Sequence, residues 1–213
     1  MIVLTQQADN SYTIASNIQT SDLESLIQLT SIIGTVNYYA LAVAGAVMGT
    51  DPNNASEAAV AGSVAMLFNT SETAATIGDN LSMTLTDGNL NVTASSRTNT
   101  GLIGGALSAS SATAGVGINV ATLVAKDKVT ASIGDGSDAQ DYDGIDVQNG
   151  LVNVKALSET DTWAITAAAA LSGNDAKATI GGGMNVIVTE NQANAAIGDN
   201  VKLYQGVTLG AKS

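Results

Sequence analysis

Ala75-Thr76-Ile77-Gly78-Asp79-Asn80 recurs along this chain. It returns as Ala131-Ser132-Ile133-Gly134-Asp135-Gly136 and as Ala195-Ala196-Ile197-Gly198-Asp199-Asn200, with a degraded copy earlier at Thr13-Ile14-Ala15-Ser16-Asn17. The isoleucines at 14, 77, 133 and 197 stand 63, 56 and 64 residues apart. A second column moves with them: Leu29-Thr30-Ser31, Val92-Thr93-Ala94, Val154-Lys155-Ala156 and Leu209-Gly210-Ala211. Repetition at this period marks units that cannot bury their apolar faces alone and must stack on one another. Residues 1–213 therefore read as a single β-solenoid fragment, with units 14–76, 77–132, 133–196 and a partial 197–213. A scaffold is expected before an enzyme.

Inside a unit, short alternating runs are separated by turn residues. Leu81-Ser82-Met83-Thr84-Leu85 alternates apolar and polar, Asp87-Gly88 interrupts it, and Leu90-Asn91-Val92-Thr93-Ala94 resumes it. Such runs of about five residues between Gly, Asn and Asp are predicted strands. Ser95 to Gly101 reads as a polar break. Three coils of roughly 20 residues would then fill one unit, giving roughly ten coils and a rod roughly 50 Å long at the ~4.8 Å strand spacing. Length variation falls at 49–54, around the only proline, and at 136–144, so both are predicted corner loops. Ser56-Glu57 before Ala58 to Phe68 could cap a helix. A strand is expected there instead, because Gly62 to Met66 takes the place of Gly117 to Val120 and Gly183 to Val186.

Composition narrows the function classes. The net charge is −12, and no Lys or Arg precedes Arg97. Such a chain repels phosphate, so no nucleic acid and no anionic headgroup is expected as a partner. There is no Cys and no His, which removes the usual acid–base residue and the commonest metal ligand. The apolar run Tyr38 to Gly49 is too short to cross a bilayer as a helix, so no membrane span is expected. No leader is visible at Met1-Ile2-Val3-Leu4, and the chain reads as a piece of a longer array.

Candidate sites are few. Ile77-Gly78-Asp79, Ile133-Gly134-Asp135 and Ile197-Gly198-Asp199 are read as core and turn residues: the isoleucine buried, the glycine at positive φ, the aspartate bonding turn amides. Asp135, Asp138, Asp141, Asp143 and Asp146 fall within 12 residues. Asp141, Asp143 and Asp146 are the calcium candidates, but they lack the spacing of a calcium loop, and a solvated acidic stretch is the expected reading. No cofactor and no bound metal is expected. Asp127 lies between Lys126 and Lys128, and the other basic residues are scattered, so a catalytic cluster of acid and base is not expected. Thr98-Asn99-Thr100 and Thr160-Asp161-Thr162 occupy equivalent positions and are read as a polar outer turn. Tyr38, Tyr39 and Trp163 either contact a ligand or fill the coil interior.

The pattern Ala131 to Gly136, the strand Leu151 to Ala156 and the segment Gly117 to Val120 resemble the repeats of large secreted bacterial exoproteins of the filamentous haemagglutinin type. They are most similar to the leukotoxin family of filamentous adhesins, exported by two-partner secretion. The resemblance implies an all-β, right-handed parallel β-helix, a secreted or cell-surface location, and an adhesive or toxin-associated role without catalytic residues. The expected partner is a receptor on host or bacterial cells, with end-to-end self-association at open strand edges. Two other functions stay open on the residues: a carbohydrate-active parallel β-helix enzyme, and a calcium-stabilised surface-layer or matrix module.

Overall fold

The computed structural model describes residues 4–6, 12–14, 27–32, 36–48, 58–79, 83–110, 114–134, 145–172 and 178–213. Every element among them is a strand: β1 (Leu4–Gln6), β2 (Tyr12–Ile14), β3 (Ile27–Ile32), β4 (Val36–Met48), β5 (Ala58–Ile77), β6 (Met83–Asp87), β7 (Leu90–Ser110), β8 (Ala114–Ile133), β9 (Ile145–Asn149), β10 (Val152–Ser172), β11 (Ala178–Ile197), β12 (Val201–Leu203) and β13 (Val207–Lys212). The helix alternative at 58–68 is thus resolved in favour of strand β5. All pairings are parallel except β1 with β2. The fold is an all-β parallel solenoid, as the repeat predicts.

The coil is larger than predicted. Ile77 pairs with Ile133, and Ile133 with Ile197, so one full repeat of 56 or 64 residues makes one coil and not three. The second column is in register throughout: Leu29 with Val92, Val92 with Val154, Val154 with Leu209. Each coil has two long strands and one short one. A 21-residue strand such as β7 runs out, a 20-residue strand such as β8 returns in the facing sheet, and a five-residue strand such as β9 closes the third side. The three sheets are β3/β4–β7–β10–β13, β5–β8–β11 and β6–β9–β12. At ~3.3 Å per residue, a long strand spans about 66 Å.

The strands are long because their polar stretches do not interrupt them. Ser96, Thr98 and Thr100 lie on the inward side of β7, in line with Leu90, Val92, Ala94 and Leu102, and all are buried. The run at 95–101 is therefore strand, and the threonines point in where a polar outer turn was expected. In the Gly-rich column, Gly117 pairs with Ala61 and Gly181, while Gly62 pairs with Ile118. The sequence alignment is off there by one and two positions, because consecutive small residues at 181–183 fit several registers. Ile14 belongs to the antiparallel β1–β2 pair, where it faces Leu4. The predicted loops at 49–54 and 136–144 lie outside the described residues.

Two cores divide the coil. Beside the short sheet, three sides enclose a prism filled by Ile77, Leu85, Leu90, Val92, Val129, Ile133, Ile145, Val147, Val152 and Val154, all essentially inaccessible. Full burial of such a side chain contributes roughly 1.5–3 kcal/mol. Farther out, only the two long-stranded sheets face each other, and the core thins to Ala65, Leu102, Ala121, Leu123 and Ala125. There the sheets approach so closely that a Cβ on Gly117 would lie 2.7 Å from the Ala169 carbonyl oxygen.

Turns carry the ladder around the corners. Gly88 has φ of 118°, open to glycine alone at low cost. The Leu90 amide donates to the Leu151 carbonyl at 2.9 Å, the Leu151 amide to Asn89 Oδ1 at 2.8 Å, and the Val152 amide to the Gly206 carbonyl at 3.1 Å.

Candidate functional site

At the repeated corner, Ile77 and Ile133 are each 1% exposed, and Ile197 packs against the same cluster. The Gly134 amide donates to the Ile77 carbonyl and the Gly198 amide to the Ile133 carbonyl, both at 2.8 Å, so the corners stack as a ladder. Gly78, Gly134 and Gly198 do not have the positive φ expected of them, and a Cβ on Gly78 would meet nothing within 4 Å. A Cβ on Gly134 would sit 2.2 Å from Asp79 Oδ1, inside the space the aspartate of the layer below uses. Left-handed backbone in this corner belongs to Asn200, with φ of 55°. Asp79 and Asp199 are exposed at the corner, and Asp135 lies outside the described residues.

Of the calcium candidates, Asp141 and Asp143 also lie outside the described residues. Asp146 is in β9 and only 7% exposed. Its Oδ2 accepts from Gln148 Nε2 at 3.2 Å, and its Oδ1 is buried with no hydrogen-bond partner. Among the described residues, no group of three His, Cys, Asp or Glu side chains could hold a metal ion.

The most concentrated chemistry lies where the prism passes into the thin half of the coil. Asp127 is 2% exposed, pointing inward from the middle of β8. Its Oδ1 accepts from Ser96 Oγ at 3.0 Å and from Ser71 Oγ, and its Oδ2 accepts from Ser158 Oγ. Ser71 comes from the same sheet one coil below, and Ser96 and Ser158 come from the facing sheet. One carboxylate thus ties three successive layers and two sheets together. Along the same columns lie buried Asn69, Thr73, Thr98 and Thr100, and the buried hydroxyl of half-buried Thr160. Sequence reading missed this layer. The signal lay in the columns Ser71–Asp127–Asn191 and Ser96–Ser158, visible once each long strand is kept unbroken.

Alternation sends the neighbours of Asp127 to the opposite side of the sheet. Lys126 Nζ meets Glu190 Oε2 at 2.8 Å and Lys128 Nζ meets Glu72 Oε1 at 2.9 Å, each across adjacent coils. The hydrogen bond from Lys126, and then its charge, hold the Glu190 carboxyl below its ordinary range, with Gln192 adding a further bond. On the other sheet Arg97 lies 3.5 Å from Glu159 and 3.9 Å from Asp161. A shallow depression over this strand is lined by residues of all three coils: Thr70 and Ser71, Lys126, Asp127 and Lys128, and Glu190 and Gln192. The Asp127 carboxylate is engaged by the three serines, while the ammonium groups of Lys126 and Lys128 are engaged by Glu190 and Glu72. Tyr39 and Trp163 meet on an outer face, ring centroids 5.9 Å apart, across Gly101 of the strand between them. Tyr38, one residue away, has the inward parity of β4.

No helix among the described residues is long and apolar enough to cross a membrane, which bears on helices and not on strands. No protein-family model, no curated protein and no solved structure matches the chain.

Proposed function

We propose that the chain is a structural and adhesive segment of a large secreted bacterial exoprotein, a stiff solenoid that presents its corners and faces to a receptor on host or neighbouring cells. The carrying observation is the register. Adjacent coils pair residue for residue over 20 and 21 positions, so each outward position forms a straight column from coil to coil along the stack. Rigid repeating faces suit multivalent attachment, in which many weak contacts add through effective concentration. The polar chemistry sits inside the sheets as a tie or outside as cross-coil ion pairs, which supports a mechanical role. On this reading the chain has no catalytic step, and its open first and last coils pair end to end with further copies.

Cell binding tests the reading. Labelled chain should bind intact epithelial or bacterial cells saturably, and unlabelled chain should displace it. Binding no greater than that of an unrelated acidic β-protein would remove the adhesive part. Release of reducing ends from a polysaccharide panel would favour the carbohydrate-active alternative instead.

A further inference from the structure

Beyond the charged row, the coil is inside out. On β5 the outward residues from Val60 to Phe68 are apolar or glycine, and no charged residue occurs there or in the paired stretches 116–124 and 180–188. Val60 is 66% exposed, Met66 59% and Phe68 67%. The interior of this half holds mostly Ala, Gly, Ser and Asn, so its large apolar side chains point out. The facing sheet does the same, with Leu41, Val43, Ile165 and Leu171 exposed. Nine large apolar side chains are exposed on the β5–β8–β11 face. At about 100 Å² each they offer on the order of 900 Å² of apolar area. That exceeds the roughly 300–600 Å² largest patch of an ordinary monomer. It matches the ~800 Å² that each partner contributes to a stable interface.

We infer that this face docks against the same face, or its facing counterpart, on a second copy of the chain, so that solenoids pack side by side. Three features choose this occupant. The face is a lattice of in-register rows, and two such sheets interdigitate at a spacing of ~10 Å. Both outer faces of the lobe are apolar, so one copy on each side covers both, while a single unlike partner would cover one. The lattice ends at Lys126, Lys128, Glu72 and Glu190, which form a polar rim to an apolar centre. A bilayer would also cover both faces. Vesicle flotation distinguishes that occupant from a second copy. Lateral packing is distinct from end-to-end pairing and does not depend on the adhesive reading.

Sedimentation of the whole chain from about 1 to 100 μM tests the inference, a range that covers micromolar affinities expected of a standard-size interface. The chain should associate reversibly. Val64→Thr with Met66→Thr and Phe68→Thr keeps β-branched or strand-compatible side chains and should weaken association at least tenfold with an unchanged circular dichroism spectrum. Lys155→Thr, outside the lobe, should leave association unchanged. Should the triple variant lose its β signal, Met66→Cys in this cysteine-free chain can carry a spin label. Intermolecular label distances within about 20 Å, twice the sheet spacing, are then expected. A monomer at 100 μM, association insensitive to the triple change, or labels that stay far apart would overturn the inference. So would monomeric chain that floats with phosphatidylcholine vesicles through this face, which would make the bilayer the occupant.

Discussion

Asp127 is the residue on which most interactions converge. It is a buried carboxylate held by hydroxyls rather than by a cation, with Ser71, Ser96 and Ser158 all donating to it. Removing the acceptor strands three hydroxyls, each worth about 1 kcal/mol net. Asp127→Ala is therefore expected to cost roughly 3 kcal/mol in urea unfolding, while Asp127→Asn, which keeps one acceptor oxygen, costs about 1 kcal/mol. Equal losses would mean that the charge, and not the acceptor geometry, sets the role. Ile133 makes the apolar comparison: it is 1% exposed between Ile77 and Ile197. Ile133→Ala should cost about 2–5 kcal/mol through lost burial and a residual cavity. Glu190 is the residue for titration. Lys126 lowers its carboxyl below the ordinary value, so any stabilisation is present at neutral pH and is lost as pH falls through that depressed value. The carbon resonance of the Glu190 carboxyl should titrate below an ordinary glutamate, and Lys126→Ala should return it to the usual range. Because the pair is exposed, its effect on unfolding should be small.

At the level of elements, the ladders were legible and the strand lengths were not. The Ile77–Ile133–Ile197 and Val92–Val154–Leu209 columns can be aligned by eye, because large β-branched and aliphatic side chains recur where the prism needs them. Beyond Ala94 the inward positions turn to Ser96, Thr98 and Thr100, and an apolar-polar count then sees a break where the backbone continues. Counted that way, one long coil breaks into three short turns. The same inversion hid the Asp127 tie and the apolar outer lattice, since both reverse the usual inside-outside pattern. The turn between β9 and β10 gives an element-level test. A Cβ on Gly150 would meet the Gly88 carbonyl oxygen at 1.6 Å, so the stacked turns admit no side chain there. Gly150→Ala is expected to destabilise by about 1–3 kcal/mol through forced displacement of that layer. It should also weaken hydrogen-exchange protection of the Leu90 and Leu151 amides, which carry the ladder through the turn.

Across the whole molecule, coil width far exceeds stack height. Four layers at ~4.8 Å make a stack of only about 15–20 Å, against long strands of about 66 Å. Along those strands the stabilising forces are uneven. The prism end buries Leu85, Leu90, Val92, Ile133, Ile145 and Val152, while the far end holds chiefly alanine between its sheets. Between them lies a polar layer in which Asn69 Nδ2, Thr73 Oγ1, Thr100 Oγ1 and Thr160 Oγ1 are buried without partners. Such a layer couples the ends through backbone hydrogen bonds but adds little apolar continuity. Local opening should therefore begin in the far lobe and stop at this layer. Native-state hydrogen exchange at low protein concentration should show amides of 58–68, 102–110 and 114–124 exchanging through openings of lower free energy than amides of 129–133 and 152–156. Raising the concentration into the range where faces pack together should protect the far lobe selectively, since binding stabilises only the element it covers. Uniform protection along β8 at every concentration would mean that the coil unfolds as one unit and that its apolar outer lattice is already stable in water.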